Sequence, residues 1–287
     1  MTEYIISNWT SFNLPIYFFD MDGSSNGSVI GAVGSDSSIM ISINAGQSFA
    51  AKHIVKNWSC ITVGGDGRNI IACESDGLIY QSISQNKSHN IWNVIGGNIP
   101  RKHKGIKMTP DGTVIMSVEL NGYIYISIDS GATWGQSGSI QLWTDVAISS
   151  DGYVMTALTE NAGIFISYDR GNTWSNITLL NRWNKISMTS NGVIQVASSI
   201  NGTLHISTDS GQNWNSFGNV GVWGGVGISS DGTTLAAVEF GGYLHVSIDG
   251  GTNWIQTETA KNWWGLFVSR DSTHESHVIS ATADDEG

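Results

Sequence analysis

Apolar residues fall in short runs that end at glycine or at an Asn-Gly pair, as in Gly122-Tyr-Ile-Tyr-Ile-Ser127 and Val154-Met-Thr-Ala-Leu158. Runs of this length, rich in Val, Ile, Tyr and Trp and bounded by turn residues, predict β-strands. The pattern repeats. Ser127-Ile-Asp129-Ser-Gly131-Ala-Thr-Trp134, Ser167-Tyr-Asp169-Arg-Gly171-Asn-Thr-Trp174, Ser207-Thr-Asp209-Ser-Gly211-Gln-Asn-Trp214 and Ser247-Ile-Asp249-Gly-Gly251-Thr-Asn-Trp254 each stand 40 residues after the last. Degenerate copies lie at Ser42-Ile-Asn44-Ala-Gly46-Gln-Ser-Phe49 and between Ser82 and Trp92, where an insertion displaces the glycine. A period near 40, with one supersecondary unit per repeat, points to a radial array.

A second landmark sets the number of units. Asp-Gly, Asn-Gly or Asp-Ser pairs at Asp22, Asp66, Asp111, Asp151, Asn191, Asp231 and Asp271 make seven hairpin anchors. Eight residues before most of them stands a tryptophan (Trp58, Trp143, Trp183, Trp223, Trp263), with Leu14 and His103 in that slot of the two irregular units. Each unit reads as strand A from this tryptophan, a hairpin, strands B and C, the Ser-x-Asp-x-Gly turn, and strand D from the second tryptophan. The last unit lacks strands C and D at the C-terminus, while Tyr4-Ile-Ile-Ser7-Asn-Trp9 supplies a matching piece at the other end. Such a split is what ring closure needs, because pairing the termini in one unit protects both sheet edges. The expected fold is therefore all-β: a seven-bladed β-propeller of four-stranded blades. It forms one domain over residues 1–287, with blades at about 12–57, 58–102, 103–142, 143–182, 183–222, 223–262, and 263–287 with 1–11.

The Ser-x-Asp-x-Gly-x-x-Trp stretch resembles the Asp box, or BNR repeat, of β-propellers in sialidases, sortilin-type receptors and photosystem assembly factors. The resemblance covers nearly the whole chain. It implies that Asp129, Asp169, Asp209 and Asp249 are structural, each accepting backbone N–H bonds in the turn between strands C and D. It leaves function open, because one fold hosts hydrolases, receptors and scaffolds.

Composition narrows the choice. With 35 glycines, 3 prolines and only 13% charged residues among 287, turns are frequent and the surface is built from Ser, Thr and Asn. The residues a long helix favours, Glu, Lys, Leu and Ala, do not dominate. A net charge of -11 argues against nucleic acid and anionic membranes as partners. No apolar stretch approaches the roughly 18 residues of a transmembrane helix. The start at Met1 has neither the basic region nor the cleavage site of a signal peptide, so a soluble chain is the expectation, with the cytoplasm one open location and the compartment left undecided.

The candidate chemistry is sparse. As the resemblance implies, a sialidase would grip its substrate carboxylate with three arginines. This chain has five, Arg68, Arg101, Arg170, Arg182 and Arg270, and the repeat frame sends Arg68, Arg170 and Arg270 to the face opposite a propeller's usual active site. The expectation is a non-enzyme without metal or cofactor. His274, Glu275 and His277 lack further matched ligands, and His205 and His245 occupy a strand-C slot that is apolar or aromatic elsewhere, as befits packed imidazoles. Cys60 and Cys73 face each other across a hairpin, where two buried thiols are the simpler reading and a cross-strand disulfide the alternative.

Two partner classes follow. Trp58, Trp143, Trp183, Trp223 and Trp263 open equivalent strands, and Glu74, Glu119, Glu160 and Glu239, with Asp284 in the last unit, sit in loops on the same face, away from the Asp boxes. Indole faces beside carboxylates, repeated around a ring, suit multivalent carbohydrate binding. The competing reading makes the indoles fillers between blades and the chain a protein-interaction scaffold or assembly factor. On that reading Pro100-Arg-Lys-His-Lys104 with Lys107, the one basic cluster, offers a dock for an acidic partner.

Overall fold

A computed structural model describes residues 18–53, 55–179, 181–256, 260–269 and 279–284, with the backbone alone at Ser280 and residues 282–284. Among the described residues all regular structure is β. The first unit is β1 (Phe18–Gly23), β2 (Ile30–Gly34), β3 (Met40–Ser42) and β4 (Ala50–Ala51), and the second is β5 (Trp58–Val63), β6 (Asn69–Glu74), β7 (Ile79–Ile83) and β8 (Asn93–Ile95). Each forms a four-stranded antiparallel meander in chain order. Further along, neighbouring strand positions fuse. In the next sheet, β9 (His103–Met108), β10 (Ile115–Ser127), β11 (Gly135–Ile148), β12 (Met155–Thr159), β13 (Ile164–Ser167) and β14 (Ser175–Ile177) pair in sequence. β10 serves β9 with its first half and β11 with its second, while β11 pairs with β10 and then, from Trp143 onward, with β12. The same arrangement returns in β15 (Trp183–Met188), β16 (Gln195–Ser207), β17 (Asn215–Ile228), β18 (Leu235–Gly242), β19 (Leu244–Ser247) and β20 (Ile255–Gln256). β21 (Lys261–Val268) and β22 (Ile279–Asp284) complete the described strands.

The hydrophobic clusters lie between units rather than inside them. Val29, Val33, Ile39 and Ile41 of the first unit pack on Trp58, Ile61, Val63 and Ile70 of the second, and the contact repeats around Trp143, Trp183 and Trp223. Inner strands neighbour one another in chain order, β1 on β5, β5 on β9, then β11, β15, β17 and β21, and β21 packs against β1. Phe267 of β21 shares a cluster with Phe18, Met21 and Ile30. A sheet face needs a cover, and here each sheet covers the next.

The first unit differs from the expected register. Asp22 is not a hairpin residue: it is 4% exposed, sits inside β1 and pairs with Gly31. The turn lies at Asn26-Gly27, where Ser24 Oγ and the Ser28 N–H both donate to Asn26 Oδ1 at 3.0 Å and Gly27 takes φ 69°. Phe18 therefore holds the slot that tryptophan fills elsewhere. Leu14, residues 1–11 and Asp271 lie outside the described residues, as do Arg270 and the His274 to His277 segment.

Candidate functional site

The indole ring offers no binding face at four of its five positions. Trp58, Trp143, Trp183 and Trp223 are at most 3% exposed. Trp58, Trp143 and Trp223 each donate Nε1–H to a carbonyl of the preceding unit, Ser37, Gly122 and Gly202 respectively, at 3.0 to 3.1 Å. Their rings meet strand-C residues edge-on: Trp58 meets Tyr80, Trp143 meets Phe165, Trp183 meets His205 and Trp223 meets His245, with centroids 4.8 to 5.4 Å apart. Trp263 is half-buried in the last interface. A sugar cannot stack where protein already occupies the ring, so these tryptophans act as fillers with one polar handle. The carboxylates are also engaged. Glu74 pairs with Lys56 at 2.9 Å, Glu119 accepts from Tyr125 Oη at 3.0 Å, Glu160 pairs with Arg182 at 3.0 Å, and Glu239 lies 3.7 Å from His245 Nε2.

The Ser-x-Asp-x-Gly turns have the hydrogen bonding that makes their aspartates structural. Ser127 Oγ donates to Asp129 Oδ1 and accepts from the Gly131 N–H, both at 2.8 Å, while the Thr133 N–H and O–H donate to the two carboxylate oxygens at 2.8 and 2.6 Å. Asp169, Asp209 and Asp249 repeat this. Gly131 takes φ 90°, which a side chain would strain. In the second unit His89 stands in for the glycine: its ring bonds Ser82 Oγ at 3.3 Å and the Gly67 carbonyl at 3.0 Å, and Trp92 donates to its carbonyl. Donation from the Thr133 hydroxyl, then its N–H and Ser127, holds the Asp129 carboxyl down to about 2. Because this lies below the unfolded value near 3.9, the stabilisation is present above about pH 4 and disappears as pH falls through about 2. Thermal melts from about pH 5 to 2 should show a drop in that window, and Thr133→Val should move it to higher pH; a variant with an unchanged acid profile would refute the assignment.

The other candidates scatter. Arg101 lies over the Tyr125 ring at 4.3 Å, Arg170 over Tyr153 at 4.3 Å, Arg182 pairs with Glu160, and Arg68 lies 3.7 Å from Asp66. The basic segment does not form one patch. His103 is buried, bonded to Ser117 Oγ, and lowered to about 4 by burial and then by Arg101. Lys107 turns inward to Asp22, and Lys102 lies 4.0 Å from Asp76. Burial lowers the pKa of both His205 and His245, as expected for packed imidazoles. Cys60 and Cys73 are free, buried and paired in register, and burial pushes the Cys73 thiol up. Among the described residues no group of His, Cys, Asp and Glu could hold a metal ion, and no helix is long and apolar enough to cross a membrane.

One site was missed by repeat reading because it breaks the repeat. Two residues beyond the interface slot, the inner strands carry Asp20, Cys60, Gly105, Asp145, Lys185, Gly225 and Gly265; four beyond it stand Asp22 and Lys107. The charged members meet around a cavity of about 50 Å³ lined by β1, β9, β11, β15, β17 and β21. Each carboxylate also joins two units. Asp20 and Asp22 accept the Ile61 and Val63 N–H groups at 2.9 and 3.0 Å, and Asp145 accepts the Ile186 N–H at 3.0 Å. Lys185 Nζ lies 3.6 Å from Asp20, and Lys107 Nζ lies 3.4 Å from Asp22. Burial opposes the Lys185 charge, yet Asp145 and then Asp20 outweigh it and hold the ammonium above its ordinary range. Burial raises Asp145, with Lys185 opposing.

Above this chamber the rim is aromatic on one side only. Phe19 and Trp264 line the cavity and meet edge-on at 6.5 Å, and Phe240 packs on Trp264 at 4.8 Å. Phe19 and Phe240 are each 38% exposed. Elsewhere the position of Phe19 and Trp264 holds Ser59, Lys104, Thr144, Asn184 or Gly224, so this aromatic pair is singular, and Phe240 stands where other units carry Ser75, Leu120, Glu160 or Ile200. Disagreement between aligned strand-A segments is the sequence signal for the charged residues and for Phe19 and Trp264.

The sequence matches no family model and no curated protein. Solved structures supply the fold. A YCF48 structure bound to D1 peptide is 16% identical, covering 88% of this chain and 86% of that one with a TM-score of 0.66. The β-propeller domain of Cps50 (Swd1) from Myceliophteria thermophila is 11% identical, covering 97% and 96% with a TM-score of 0.74. A GH74 xyloglucanase from Xanthomonas campestris is 13% identical, covering 84% of this chain and 45% of that one with a TM-score of 0.66. The chain is thus built like a β-propeller.

Proposed function

We propose that this chain is a single, seven-bladed propeller of the Asp-box kind that acts as a non-enzymatic protein-binding scaffold through its axial mouth. Packing of β21 on β1 supports closure. On this reading the last blade joins residues from Trp263 onward with the N-terminal segment. The observation that carries the functional reading is the aromatic group at the mouth of a charged cavity: exposed Phe19 and half-buried Trp264 line it, and exposed Phe240 packs on Trp264. Exposed aromatics at a concave mouth are the anchors protein interfaces use. Similar structures include one bound to a peptide, which fits the same use. Burial of Trp58, Trp143, Trp183 and Trp223 speaks against the repeated platforms that glycan binding required. A sialidase-like hydrolase would need convergent arginines, and the described arginines contact separate neighbours.

Selection from a random peptide library tests the reading. Peptides retained by the native chain should lose most of their affinity for a Phe240→Ser, Trp264→Ser double variant that still melts cooperatively. Peptides that bind both proteins equally, or turnover of glycosides that a point substitution abolishes, would refute it.

A further inference from the structure

We infer that the axial mouth receives the guanidinium or ammonium group of a basic side chain carried on an extended peptide, an inference that rests on the mouth being the protein-binding site. Around the cavity Asp20, Asp22 and Asp145 stand against Lys107 and Lys185, with Lys185 nearest Asp20 and Lys107 nearest Asp22, and both ammonium groups acting on Asp145. The cavity therefore carries one more carboxylate than ammonium group. The chain as a whole carries -11. An anionic group would meet that excess with repulsion; a cation meets it with attraction. Lys104, the rim residue of β9, is exposed and does not line the cavity.

The rim favours the same ligand. Aromatic faces attract a cation within about 6 Å of a ring centroid, and arginine adds planar stacking. A cavity of about 50 Å³ is on the scale of one side-chain head group or a few waters. A sugar ring or a nucleotide is too large for it. The peptide backbone would lie across Phe240 and Trp264, and the head group would reach past Phe19 toward Asp145.

Fluorescence anisotropy with a neutral dye on a Gly-Ser-Gly-Arg-Gly-Ser-Gly peptide tests this, against peptides carrying citrulline or glutamate in place of arginine. The arginine peptide should bind about tenfold tighter than the citrulline one, and added salt should narrow the difference. Asp145→Asn, which keeps an acceptor for the Ile186 N–H, should lower affinity for arginine several-fold and leave citrulline unchanged. Phe240→Ser, a change at an exposed site, should weaken both. Equal binding of arginine and citrulline, with both still lost in Phe240→Ser, would overturn the basic side chain and leave the mouth as a peptide site. Tighter binding of the glutamate peptide would overturn it as well. If Phe240→Ser affects no peptide, the mouth itself is not the site and both readings fall.

Discussion

Trp183→Ala is expected to lower the free energy of unfolding by about 3–5 kcal/mol, the cost of removing a fully enclosed aromatic. The side chain is 0% exposed and shares a cluster with Ala147, Leu158, Ile164, Ile166 and Ile186 from the two units it joins. Its edge meets His205 at 4.8 Å, and Nε1 donates to the Leu179 carbonyl at 2.9 Å. Truncation opens a cavity that two stiff sheets cannot close and leaves that carbonyl without its donor. Equilibrium denaturation in urea measures the loss. Trp264→Ala, at the rim, should cost much less while removing peptide binding. A Trp183→Ala protein of unchanged stability would contradict the role assigned to the whole indole ring.

The second large effect belongs to the charged chamber. Lys185→Met should destabilise the chain by about 3–5 kcal/mol at neutral pH, because removing one partner of an enclosed pair leaves the others uncompensated. Asp145 and Asp20 would then face each other without the ammonium, and Lys185 is the leading charge that restrains the already raised Asp145 carboxyl. The pH dependence follows from the sign. A carboxyl whose folded pKa exceeds its unfolded value makes the folded state bind protons more readily, so stability rises as pH falls toward the raised pKa. The variant should therefore gain stability on acidification from about pH 7 to 5, before the turn aspartates begin to lose theirs below about pH 4. Adding Asp145→Asn should restore part of the loss. Chemical denaturation across this range checks both; a Lys185→Met protein as stable as the parent would show that the chamber charges are independent.

Turn chemistry was legible because it is local. Ser127, Asp129, Gly131 and Thr133 satisfy one another within a few residues, so their spacing alone specifies the bonds found. The same logic misled in the first unit, where Asp22-Gly23 imitates a hairpin while Asn26-Gly27 makes it. Both pairs suit the turn. Pairing with β2 chooses between them, because a turn at Asp22-Gly23 would end β1 at Met21 and break its pairing with Ala32, which lies in the same cluster.

The chain's order of residues by itself determined the alternation of strand and turn, the period of the repeats, the structural part played by Asp129 and its equivalents, and which positions are interchangeable from unit to unit. These rest on hydrogen bonds and side-chain alternation among near neighbours. Tertiary structure decided what the interchangeable positions face. Trp183 could have looked outward or across to the next sheet, and only the packing of one unit on another buries it. It also decided that Asp20, Asp145 and Lys185, far apart along the chain, share one chamber, and that Phe19 and Trp264 meet at its mouth. Their proximity comes from β21 returning to β1, a long-range contact that no local spacing records, and whose reward is the covering of both sheets' apolar faces.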